Sequence, residues 1–176
     1  MPDLQTIETV KQMKLLLTQH IGWFNSKNAL AHFTIFEFFE DDIKEDTFCL
    51  QLDRIASEMN TFNVQCDAFD WFDNGAFYIK PNEVSSTKMT ELMKQVLKES
   101  TQIKKSITNT NPHVSIARKL SPEKLEIAQQ LFTNINLEFA VTNLTLRKFD
   151  ESQKQFMVYK EFPLLGKPKE IQGSLF

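Results

Sequence analysis

Two four-residue stretches carry the side chains best able to do chemistry. His32-Phe33-Thr34-Ile35 and His113-Val114-Ser115-Ile116 share one order: histidine, apolar, hydroxyl, apolar. The chain has three histidines in all, so composition alone does not account for two of them in one pattern. An imidazole with an ordinary pKa of about 6.5 both takes and gives protons near neutrality. Two of them divide that work: one neutral ring removes a proton from an attacking water or hydroxyl, and the other, as imidazolium, protonates a leaving oxygen. The neighbouring Thr34 and Ser115 hydroxyls are placed to donate to phosphoryl oxygens as charge builds on them. The candidate catalytic residues are therefore His32 and His113, and the candidate phosphate-binding residues Thr34 and Ser115. Which histidine is base and which is acid is open at this level.

Other uses of the same residues fit less well. A histidine on an apolar strand is commonly a satisfied core residue, and a duplicated but purely structural histidine stays open as the weaker reading. A zinc site needs three or four ligands, and neither a His-Glu-x-x-His motif nor a cysteine and histidine cluster supplies them, so no metal and no cofactor are expected. A Gly-x-Ser-x-Gly nucleophile elbow is missing, which argues against a serine hydrolase. His20 falls where the first helix should end, a favourable place for a cation, and reads as structural.

Composition narrows the class further. The 176 residues, 41% of them hydrophobic, are enough for one domain with its own core. Sixteen Phe against four Gly leave no room for glycine-rich phosphate loops. A net charge of −3 opposes nonspecific coating of nucleic acid but permits a small site for one strand end. The first ten residues have neither a basic flank nor an apolar signal segment, and no run is long enough to span a bilayer, so a cytoplasmic protein without membrane attachment is expected. Cys49 and Cys66 lie in no Cys-x-x-Cys motif and read as buried thiols.

The histidine segments must be positioned by the elements around them. Leu4, Ile7, Val10, Met13 and Leu17 recur at helical spacing, predicting a helix over 4–18. Residues 31–39 are β-branched or aromatic at most positions and predict a strand. Asp46 is placed to cap a helix with Phe48, Leu52, Ile55, Ala56 and Met59 on its buried face. Two strands, 61–71 and 76–80, flank an Asp73-Asn74-Gly75 turn and form a hairpin. Ser85 or Ser86 is expected to cap the next helix, with Met89, Leu92, Met93, Val96 and Leu97 on one face. A polar turn precedes a strand over 113–117. Ser121 with Pro122 starts another helix, and strands at 137–148 and 155–161 end the series.

The two halves read alike: helix, histidine strand, helix, hairpin. Residues match as well, Phe62 with Phe139, Val64 with Val141, and Phe72-Asp73 with Phe149-Asp150. A tandem duplication predicts a single α+β domain over 1–176, built of repeats at about 1–80 and 81–165 with a short tail at 166–176. Antiparallel sheets in two lobes would line a central cleft, with helices outside. On strands of that kind His32 and Thr34 share one face while Phe33 and Ile35 face the core. The comparison also exposes a gap. The second repeat's first helix follows a strand, whereas nothing precedes the helix at residue 4. Either the true start lies upstream, or one sheet has lost a strand and leaves an edge at which a homodimer could form.

The paired motifs and the repeat together resemble the 2H phosphoesterase superfamily, in particular the branch of 2′-5′ RNA ligases and cyclic phosphodiesterases. The resemblance runs from the first helix to the closing Tyr159-Lys160-Glu161-Phe162-Pro163-Leu164 segment. It implies metal-free cleavage or transfer at 2′,5′ linkages or 2′,3′-cyclic phosphates, with an RNA end or nucleotide-like phosphodiester as partner. Arg118 matches a basic residue that often follows the second motif and becomes a substrate-binding candidate, although strand parity turns it away from His113. Phe36 is the candidate base platform, since it shares parity with His32 and Thr34. Two departures stand out: the family's opening strand is missing, and Ala31 stands where Pro is frequent. The same residues admit a non-catalytic module that binds an RNA end or cyclic nucleotide, and more distantly an interaction protein pairing through its edge.

Overall fold

The computed structural model describes residues 1–39 and 45–169; residues 170–176 of the expected tail lie outside them. The elements in order are α1 (Leu4–Ile21), β1 (Phe36–Phe38), α2 (Glu45–Ser57), β2 (Phe62–Phe72), β3 (Ala76–Pro81), α3 (Glu83–Glu99), β4 (Lys105–Thr108), β5 (Val114–Ala117), α4 (Pro122–Leu131), β6 (Leu137–Val141), β7 (Asn143–Asp150) and β8 (Gln155–Pro163). Helices and antiparallel sheets thus make an α+β fold.

Local chemistry explains most boundaries. Asp3 opens α1 by accepting from the Thr6 amide at 2.7 Å, and Gly22, at φ 72°, closes it. Ser121 caps α4 with Pro122 behind it, as expected. For α3 the cap is Asn82, whose side chain accepts from Ser85 N at 2.9 Å. Ser85 is instead buried one turn later, where its hydroxyl accepts from Gln65 N at 2.9 Å and ties the helix to β2. Asp46 is likewise no cap: it lies with Glu45 in the first turn of α2, where carboxylates favour the positive end of the helix.

The main sheet has the order β5-β3-β2-β6. The predicted hairpin joins β2 and β3, with Gly75 donating to Phe72 O at 2.9 Å. Between β2 and β6 the register sets Phe62 opposite Val141, Asn63 opposite Ala140 and Val64 opposite Phe139. With Phe62 matching Phe139 and Val64 matching Val141 in sequence, this is the register that a twofold axis between Asn63 and Ala140 generates. Phe77, fully buried, stacks on Phe69 and Phe132 at 5.5 and 6.0 Å and anchors the core beneath this sheet.

Two strand expectations need correction, and one strand was not expected. The strand over 31–39 shrinks to Phe36–Phe38, leaving His32 to Ile35 outside any strand. The strand over 137–148 is two strands, because the chain changes sheets at Thr142: β6 pairs with β2, and β7 with β8. The buried residues Phe139, Val141 and Leu144 break period-two parity at that point. Strand β4, paired with β1, carries no apolar alternation and went unread.

In the main sheet β3 fills the place between β5 and β2. Among the described residues no strand fills the corresponding place between β1 and β7, which belong to separate two-stranded sheets. A cavity of about 710 Å³ lies there.

Candidate active site

The segment that presents His32 is held from two sides. Val10, Lys14, Leu17 and Ile21 form the buried face of α1, and the Lys14 ammonium donates to Ser26 O at 3.0 Å and Ala29 O at 2.7 Å. Ser26, itself at φ 71°, donates through its hydroxyl to Ile116 O at 3.2 Å, and Asn25 bridges to Arg118, so β5 fixes the same loop. Burial lowers the Lys14 pKa to about 8, with the Arg147 charge adding to the effect.

Both histidines are fixed in the same way. His32 Nδ1 lies 2.6 Å from Leu30 O, and His113 Nδ1 lies 2.9 Å from Asn111 O. In each case the carbonyl two residues upstream accepts the Nδ1 proton, which leaves Nε2 with its lone pair free. Arg147 Nη1 sits 2.9 Å from His32 Nδ1. With that nitrogen protonated the contact is one of charge, and no hydrogen bond forms.

Asn109 links the two motifs. Its side-chain amide donates to Thr34 O at 3.2 Å and to Asn111 O at 3.1 Å, while its Oδ1 accepts from Asn111 N at 2.9 Å. The Asn111 carbonyl thus receives both Asn109 and His113, so one side chain ties the backbone of the first motif to the orienting partner of the second histidine.

The His113 ring packs edge-on against Phe72 at 5.4 Å and beside Tyr78 at 5.1 Å. Ser115 lies opposite Tyr78 in the β5–β3 register. That register steps by two residues on β5 for one on β3 between Ser115 and Ala117, a bulge at Ile116 that removes the parity objection to Arg118. Arg118 is exposed, and its charge acts on His113.

Both histidines are biased towards the neutral form. Burial pushes His32 down to about 4, with the Arg147 guanidinium the next contributor and the Leu30 carbonyl opposing. Burial also lowers His113; the Asn111 carbonyl opposes, and Arg118 adds to the lowering.

The cavity between β1 and β7 is walled by His32, Thr34 and Phe36 among others, whereas His113, Ser115 and Arg118 lie outside its wall. Phe36 packs against Phe38 at 5.8 Å, with the Lys105 ammonium 5.5 Å from its ring centroid. Phe33 packs against Phe139 at 6.1 Å, yet Phe33 and Ile35 line the cavity together with His32 and Thr34, so this segment does not keep the strict alternation expected of a strand. Sequence reasoning missed Lys14, Asn109, Thr145 and Arg147. For Lys14 a signal existed, because it sits at helical spacing between Val10 and Leu17. Asn109 was read only as part of a polar turn.

Comparison with known proteins adds three findings. The 2′-5′ RNA ligase superfamily matches the sequence over residues 5–153. The crystal structure of a phosphoesterase is similar in fold, with a TM-score of 0.58 at 15% identity over 89% of this chain and 91% of that one. The crystal structure of TT0787 from Thermus thermophilus is also similar, with a TM-score of 0.61 at 15% identity over 94% of each chain. No curated protein matches by sequence.

Proposed function

The chain belongs to the 2′-5′ RNA ligase superfamily, and from that premise we propose that it is a phosphoesterase acting on 2′,3′-cyclic phosphates or 2′,5′-phosphodiesters of RNA type through His32 and His113. The observation that carries the reading is the matched pair of Nδ1 to carbonyl bonds, which leaves both Nε2 atoms available for proton transfer.

In this mechanism His32 is the base. A guanidinium beside it disfavours the imidazolium, so Nε2 is free to take the proton of a water as its oxygen bonds to phosphorus. His113, protonated, gives its Nε2 proton to the ribose oxygen as the bond from phosphorus to that oxygen breaks. Thr34 and Ser115 steady the phosphoryl oxygens, Phe36 offers a ring to a base, and Arg118 adds positive charge on the His113 side.

A panel of 2′,3′-cyclic nucleotides incubated with the protein and excess EDTA tests this directly. The expected result is hydrolysis to a single phosphomonoester at a rate that the chelator leaves unchanged; loss of turnover on chelation would overturn the metal-free mechanism. A binding module for RNA ends or cyclic nucleotides is the second reading, favoured by the cavity's reaching His32 and not His113. Micromolar binding without turnover would select it.

A further inference from the structure

The cavity wall that carries His32 and Thr34 also carries Arg147 and Thr145. Arg147 on β7 donates from Nη2 to Phe156 O, and its Nη1 rests against His32. Its Nε is buried with no hydrogen-bond partner among the described residues, and the buried Thr145 Oγ1, two residues earlier, also has none. The irregularity in the β7–β8 pairing falls on β8, where two residues are passed between Lys160 and Val158 for one step on β7. Regular alternation on β7 therefore sends Thr145 and Arg147 to one face. Both line the cavity with His32 and Thr34.

Among the described residues no carboxylate forms an ion pair with Arg147 or Lys14. A cation taken partly out of water without a counter-charge is costly, and an orphaned donor beside it adds to the cost. An anion with several acceptor oxygens relieves both at once, since a guanidinium edge and a hydroxyl can donate to different oxygens of one tetrahedral group. We propose that Thr145 and Arg147 form a phosphoryl-oxygen site on the His32 side of the cavity.

The inference rests on the reading of His32 as a catalytic residue, and it adds two residues that neither motif contains. One electrostatic observation accompanies it: after burial, the Arg147 charge is the next contributor that lowers both His32 and Lys14. An anion bound there favours protonation of His32, which couples occupancy of the site to the proton held by the ring.

The test is binding of inorganic phosphate at pH 7, followed through the His32 ring resonances and repeated with nucleoside 3′-phosphate. The expected results are saturable shifts of the His32 signals, at least tenfold weaker binding in Arg147→Met, partial recovery in Arg147→Lys, and about threefold weakening in the near-isosteric Thr145→Val. An exposed control, Lys88→Met, should leave binding unchanged. In a His32 pH titration without phosphate, Arg147→Met should raise the midpoint, and phosphate should raise it in the wild type only. Unchanged phosphate affinity in both Arg147→Met and Thr145→Val overturns the proposal, as does a uniform loss in the Lys88 control. If Arg147→Met fails to fold, Arg147→Lys and Thr145→Val decide alone. Binding needs no turnover, so phosphate capture by an inactive protein leaves this site standing while the enzymatic reading falls.

Discussion

Replacing His32 or His113 by Ala is expected to lower kcat/KM for a 2′,3′-cyclic nucleotide about 10²- to 10⁴-fold in each case. The two rings act on one substrate in one proton cycle, so the double variant should lose little more than the worse single variant. Thermal melts belong beside the assays, because His113 also packs against Phe72 and Tyr78 and its removal opens a space there. Among the described residues His32 makes no aromatic contact of this kind, so its removal gives up only the Nδ1 bond to Leu30 O and the contact with Arg147. His32→Ala should therefore be the more stable of the two while equally impaired in turnover. A folded variant with activity within tenfold of wild type would remove that histidine from the mechanism.

The second large effect concerns stability at Gly75. This residue turns β2 into β3 with φ 78°, and a Cβ built there would lie 2.2 Å from Leu120 O and 2.8 Å from Leu120 N. Leu120 N donates to Gly75 O at 2.9 Å, so the turn and the chain leaving β5 are locked backbone to backbone. Gly75→Ala must push them apart, and is expected to cost about 3 kcal/mol, or roughly 6–12 °C in Tm for a chain of this size. Gly22 is the control. It has a similar φ of 72° but open space around the same Cβ position. Gly22→Ala should cost only the strain of its backbone, at φ 72° and ψ −155°, about 1–2 kcal/mol. Equal effects at the two glycines, read from urea midpoints, would show that the close approach to Leu120 contributes nothing.

The β2–β3 turn was legible because an Asp-Asn-Gly signal lay between two apolar runs, and the α4 start because Ser-Pro combines a cap with a preset φ. The fold class followed from the same local signals. What was not legible depended on partners distant in the chain. Strand β4 exists because β1 offers it hydrogen bonds, and its own residues are too exposed to carry a pattern. The change of sheet at Thr142 shows in sequence only as a parity break among three buried residues. Ser85 looked like a cap because serine caps well, but Asn82 stood three residues earlier and left its hydroxyl free to reach β2.

The candidate site divides in the same manner. His32, Thr34, His113 and Ser115 announced themselves by repetition. Arg147 stands far along the chain from His32 and meets it only when β7 folds against the first motif. Its neighbours Leu146 and Lys148 are ordinary for a half-exposed strand, so nothing local marks it. Asn109 sits in a turn rich in polar residues, and only its simultaneous contacts with Thr34 and Asn111 distinguish it.

The pH dependence of kcat/KM, measured for wild type, His32→Gln and His113→Gln, tests the two-histidine account most directly. Free His32 must be unprotonated to act as base, so activity should rise as pH climbs through about 4. Free His113 must carry its proton to act as acid, and its pKa lies below the ordinary value of 6.5, so activity should fall again on the acid side of that value. The predicted profile is a bell with its optimum below pH 6.5. His32→Gln should retain weak activity without the acidic limb, and His113→Gln weak activity without the alkaline limb. An optimum well above neutrality, or a bell that keeps both limbs in either variant, would contradict the account.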